Sequence, residues 1–188
     1  MILNSRPSHV AVLVCSVQKA ADYLRPFGFE IGPEEIWDGE GTKEIYVGRE
    51  KANSLLLMEP IKPGAYRRAL EKRGPGIHHL AIDVLNLEED IASLARSGWL
   101  LHPTSLKTIA QSRTAYLARP GFPALIEVQE REKLNDQKLF VERLSIQTEL
   151  SAGKLLQAIG LESMVATSTS PTEIVLSGQR IRLHDLIA

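Results

Sequence analysis

Short runs of apolar residues, separated by breakers and charged segments, recur along this chain at a fixed interval. SHVAVLV at Ser8 to Val14 reads as a strand and returns as HHLAIDV at His78 to Val84, so that His9 and His79 stand 70 positions apart. The segment after each strand has helical spacing and ends alike, in PFGFEI around Gly28 and RSGWLL around Gly98, again at an interval of 70. In the second copy Asn86 suits a helix N-cap, Glu88 and Glu89 suit its positive end, and Ile91, Leu94 and Ala95 share one face. Each copy continues in β-like runs, EIYVG and NSLLLME in the first and RTAYLA and ALIEVQE in the second. The repeating unit is therefore predicted to be βαβββ, once over about residues 7–60 and once over about 77–130. PGAYRRALEKR, with proline in its first turn and GPG behind it, is predicted to be a linker helix between the copies.

After Glu130 the chain turns charged (REKLNDQK), as a hinge would. FVERLSIQT, SAGKLLQAIG, SMVATS, TEIVLSG and QRIRLHDL then follow in the order strand, helix, strand, strand, strand. The expected organisation is a two-module domain over residues 1–132 and a third, divergent βαβββ unit over 133–188, with Arg143 where the first two copies carry histidine. Left alone, that unit would expose an apolar face of Leu144, Ile146, Leu155, Ile159, Val175 and Ile181, which predicts that it either packs on its own chain as a lid or, the favoured outcome, pairs with a second copy in a homodimer.

Strand parity sorts the polar residues. His79, Ala81 and Asp83 fall on one face and His78 on the other; His9 falls with Ala11 and Leu13, and Glu127 with Leu125 and Gln129. A histidine or glutamate in an apolar strand is either a hydrogen-bonded core group or a ligand. The repeat favours the second reading, because both histidines hold the same repeat position; with Glu127 they can form a facial triad for a divalent ion. Arg113, Arg119, Lys107 and Lys43 near loop ends suit either a phosphate-bearing tail or solvent.

Composition narrows the function classes. Of the 188 residues 44% are hydrophobic and 24% charged, as in a folded globular protein. A net charge of −1 gives no field that would recruit nucleic acid or a membrane surface, which leaves a small-molecule substrate as the expected partner. The longest apolar run, Val10 to Cys15, is too short to span a bilayer, and the lone Cys15 and lack of a leader pattern point to the cytoplasm.

SHVAVLV, GPGIHHLAIDV with its helix, and PALIEVQE resemble the vicinal oxygen chelate superfamily, which includes glyoxalase I, methylmalonyl-CoA epimerase, fosfomycin-resistance proteins and extradiol dioxygenases. LLLMEPIKPGAYRRALEKRGPGIHHLAIDV is most similar to the epimerase and glyoxalase-like branch. The resemblance implies an α+β fold in which paired βαβββ modules form an open β-cup around a metal, with His9, His79 and Glu127 as ligands. It also implies a base, for which Glu40 in WDGEGTKE stands one position out of register, with Glu127 as the second catalytic carboxylate. A fourth ligand, Gln or Glu three residues before the EP pair, is replaced by Leu56. The implied function is a metal-dependent isomerase or lyase, epimerase-like or glyoxalase-like, acting on a small carbonyl compound or acyl thioester through a metal-stabilised enediolate. Zinc, nickel, cobalt, manganese or iron would all serve. Alternatives are a non-catalytic small-molecule-binding module of the same fold and a dioxygenase-like iron enzyme, for whose extra His and Tyr the sequence shows no place.

Overall fold

The computed structural model describes residues 4–134 and 137–188; the proposed hinge therefore falls partly outside the described residues. The first module runs β1 (Arg6–Leu13), α1 (Val17–Leu24), β2 (Ile31–Trp37), β3 (Thr42–Val47) and β4 (Ser54–Pro60). Helix α2 (Ala65–Arg73) links it to the second, β5 (Gly76–Val84), α3 (Leu87–Arg96), β6 (Leu100–Leu101), α4 (Ser105–Ser112), β7 (Thr114–Ala118) and β8 (Leu125–Glu130). The duplication extends to the caps. Ser16 and Asn86 cap α1 and α3, and the first-turn amides of Val17 and Leu87 donate to Glu59 and Glu130 from the last strand of their own module, at 3.0 and 2.9 Å.

The two modules join into one open eight-stranded sheet of order β2-β3-β4-β1-β5-β8-β7-β6, through antiparallel pairing of β1 with β5. In each module the first strand also pairs in parallel with the last. This is the expected paired-module α+β cup, with one addition. Helix α4, which the sequence pattern did not predict, separates β6 from β7.

The faces of the sheet differ. Val10, Val12, Leu80 and Ile82 point outward into the main core, whereas Ala11, Leu13, Leu56 and Met58 point inward and are covered by Tyr66, Ala69 and Leu70 of α2. Fully burying each such aliphatic side chain contributes about 1.5–3 kcal/mol, so the alternation holds the register.

The C-terminal unit comprises β9 (Val141–Gln147), α5 (Gly153–Ala158), β10 (Val165–Ser168), β11 (Glu173–Leu176), β12 (Gln179–Arg182) and a closing helix, α6 (Leu183–Ile187). Its element order is the expected βαβββ, but the strands lie as β10-β9-β11-β12. The divergence has a consequence. In modules one and two the first strand is free on one side to pair across the cup; here β9 is flanked on both sides and cannot repeat that contact.

The unit instead packs on the outer face of its own chain. Leu144, Ile146, Ile159 and Ile181 join the core of the two modules, Ser5 donates to the Ile159 carbonyl, and Phe140 and Val141 hydrogen-bond the backbone of Ala52 and Asn53. The apolar face expected to drive homodimerisation is thus covered within the chain. In β11 the buried residues are Ile174 and Leu176, with Val175 half-buried, one step out of the expected phase. Arg143 is exposed on the far side of this sheet. No helix among the described residues is long and apolar enough to cross a membrane.

Candidate metal centre

Pairing across β1, β5 and β8 sets His9 opposite Ala81 and Ala81 opposite Glu127, with His79 two residues before Ala81 on the same face of β5. All three polar side chains point into the cup and are buried. His9 Nε2 lies 3.0 Å from His79 Nε2, and Glu127 Oε2 lies 3.3 and 3.1 Å from these two nitrogens. Donors about 2.1 Å from one ion, at angles of about 90–110°, stand about 3.0–3.4 Å apart. The trio has the spacing of ligands around a single cation, and the group can hold one. Burial pushes the Glu127 carboxyl up, but the two imidazoles outweigh it and hold it well below the usual carboxylate range. Tyr116 donates to Glu127 Oε1 at 2.9 Å, fixing the carboxylate and leaving Oε2 toward the histidines.

The duplication is visible inside the site. Tyr46 and Tyr116, 70 positions apart, each set a ring 6.1 Å from the histidine of their module. Leu56 holds the place in β4 that Glu127 holds in β8; it faces inward opposite Ala11 and packs among apolar side chains. The first module therefore contributes one donor and the second contributes two.

Three groups near the triad escape strand reading. Glu44 on β3 pairs with Met58 and shares its inward face. Burial raises its carboxyl to about 7, against a 2.7 Å hydrogen bond from Thr42, and the charges of His9 and Glu127 reach it. Strand parity, which puts Thr42, Glu44 and Tyr46 on one face, is the signal that could have placed Glu44 there.

His78, expected to point away from His79, lies beside it. Ala11 pairs with His79 and the next residue, Val12, with Ile77, so His78 is the extra residue of a β-bulge. A matching irregularity at Ser8 precedes His9. The bulge breaks the alternation, and the two rings meet with Nδ1 to Nδ1 at 2.8 Å. Tyr116 is the third; the repeat interval from Tyr46 would have found it.

A cavity of about 830 Å³ opens beside the triad between α2 and α4. Glu40 lies on its wall with Tyr66, whose hydroxyl is held above its ordinary pKa by burial and then by the Glu40 charge. His78, Tyr116 and Leu125 close the inner end. Of the basic residues near loop ends, Arg113 is tied to Glu88 and Glu130, Arg119 to the Gly98 carbonyl and Lys43 to Glu34, while Lys107 lines the cavity. Asp83 lies off the site, 3.1 Å from Arg131.

The sequence profile of the Glyoxalase/Bleomycin resistance protein/Dioxygenase superfamily matches residues 8–116, more than half of the chain. The chain belongs to that superfamily. Solved structures share its fold over about seven-tenths of the chain. A hypothetical protein from Bacillus halodurans C-125 aligns with a TM-score of 0.58 at 22% identity, over 71% of this chain and 99% of its own. The methylmalonyl-CoA epimerase from Mycobacterium tuberculosis aligns at 0.54 and 29% identity, over 69% of this chain and 92% of its own. A Streptomyces coelicolor methylmalonyl-CoA epimerase, in complex with 2-nitronate-propionyl-CoA, aligns at 0.54 and 20%, over 71% of this chain and 100% of its own. No curated protein matches the chain significantly. In superfamily terms, the C-terminal unit lies beyond the matched segment.

Proposed function

We propose that this superfamily member is a metal-dependent isomerase or lyase, epimerase-like or glyoxalase-like, that moves a proton next to the carbonyl of a small carbonyl compound or acyl thioester. One observation carries the reading: three donors at single-ion spacing share the inner face of the sheet with a carboxyl, Glu44, held near neutrality. A base works best when its pKa lies near the operating pH. Two imidazoles and a carboxylate suit zinc, nickel, cobalt, manganese or iron. When bound, such an ion supplies Lewis-acid polarisation of the carbonyl and stabilises the charge left as the proton departs.

The chain's own groups do the rest. Glu44 accepts the proton from the inner wall, and Tyr116 keeps Glu127 from rotating. Glu40, on the cavity wall, is the carboxylate available to return a proton from that side, while Glu127, expected to share that work, serves as a ligand; Glu44 takes the place of Glu40 as the first base. The acyl-CoA complex of the Streptomyces coelicolor neighbour supports the thioester class.

A second reading has its own observation. The apolar surround of Leu56 reduces the ligand set to three, which suits a binding module that kept the cup without catalysis. Metal content by mass spectrometry after loading with each ion, and deuterium wash-in from D2O at the α-carbon of methylmalonyl-CoA and of a hemithioacetal, test the proposal. One ion per chain with ion-dependent exchange is expected. No bound ion and no exchange would leave the binding module, and oxygen uptake by the iron form alone would mark dioxygenase-like chemistry.

A further inference from the structure

The bulge at His78 places a second imidazole edge to edge with a ligand candidate, and hydrogen-bond bookkeeping then fixes both rings. His79 directs Nε2 at the triad, where a ligand nitrogen must carry a lone pair. Its proton therefore sits on Nδ1. That nitrogen lies 2.8 Å from His78 Nδ1, so His79 donates and His78 accepts. A neutral His78 accepting at Nδ1 carries its own proton on Nε2.

What that proton meets decides the role. His78 Nε2 makes no hydrogen bond among the described residues, and it is not among the sealed, unpartnered buried atoms. The ring borders the cavity, 4.9 Å from the Tyr66 ring. An N–H open to the cavity is satisfied by an acceptor brought in from outside.

We propose that His78 is the donor the cavity offers to an oxygen of the substrate, a carbonyl or the enolate formed from it, with its tautomer set by His79. The inference rests on the proposed function, since it needs His79 to be a ligand through Nε2. Accepting the bond from His79 requires a lone pair on His78 Nδ1, which holds the ring as a neutral donor at Nε2. A neutral imidazole in this position polarises an oxygen without surrendering its proton.

The test uses the zinc-loaded full-length protein, with oxalate as a planar dianionic probe of the enolate. In 15N-histidine NMR spectra, His79 should show Nδ1–H and His78 Nε2–H. By calorimetry at saturating zinc, His78→Phe should bind oxalate about 10- to 100-fold more weakly, the scale of a lost hydrogen bond to a charged group. His78→Gln, whose amide can accept from His79 and donate to the probe, should stay within about threefold of wild type. A His78 Nδ1–H tautomer, or equal oxalate affinity in wild type and His78→Phe, would overturn the role of His78 alone. If His78→Phe does not fold, the tautomer spectrum of the wild type and the His78→Gln affinity still decide. Failure of the wild type to bind zinc would instead overturn the metal reading and this inference with it.

Discussion

Replacing Glu44 by glutamine should stabilise the metal-free protein, and more so as the pH rises. Glu44 has an ordinary value of 4.5 that burial raises to about 7. Between those values the folded state holds a proton that the unfolded chain has released, so folding becomes less favourable as pH increases and the loss is complete above about 7. A difference of about 2.5 units at about 1.4 kcal/mol each gives about 3 kcal/mol. Glutamine keeps an oxygen for the Thr42 hydroxyl and never ionises. Every other titration is common to both proteins, so the difference between variant and wild type isolates this group. Urea unfolding with chelator at pH 5, 6, 7 and 8 should show the difference growing by about 2–3 kcal/mol toward Glu44→Gln. For a chain of this size each kcal/mol is worth about 2–4 °C in melting temperature. A difference that stays flat from pH 5 to 8 would mean that Glu44 titrates normally, and the assignment of the near-neutral base would fall with it.

Leu56→Gln places an oxygen at the repeat position of Glu127 and should tighten metal binding in calorimetry; weaker binding would mean that the surrounding Ala11 and Met58 do not tolerate a polar group. Gly48 has φ +70°, and a Cβ there would overlap the Phe140 ring, where the C-terminal unit meets the first module. Gly48→Ala should therefore cost more than about 1 kcal/mol in urea unfolding; an unchanged midpoint would show that Phe140 moves freely at that seam.

The sequence alone determined the duplicated modules, because a period of 70 fixes two strands and two helix stops at once, and these depend on local geometry. It also determined the triad, since His9, His79 and Glu127 obey simple alternation within their own strands and pairing then carries them to one point. What alternation could not reach was His78, because a bulge is a property of two strands in register and inserts its extra residue only when β1 and β5 meet. Glu44 likewise became a candidate base only through burial between neighbouring strands, which raises a carboxyl that the sequence presents as ordinary. The C-terminal unit shows the same boundary between local and long-range information. Its element order was legible from patterning, but hydrogen bonding across the chain put β9 in the middle of its sheet, and its apolar face came to cover the core of its own chain.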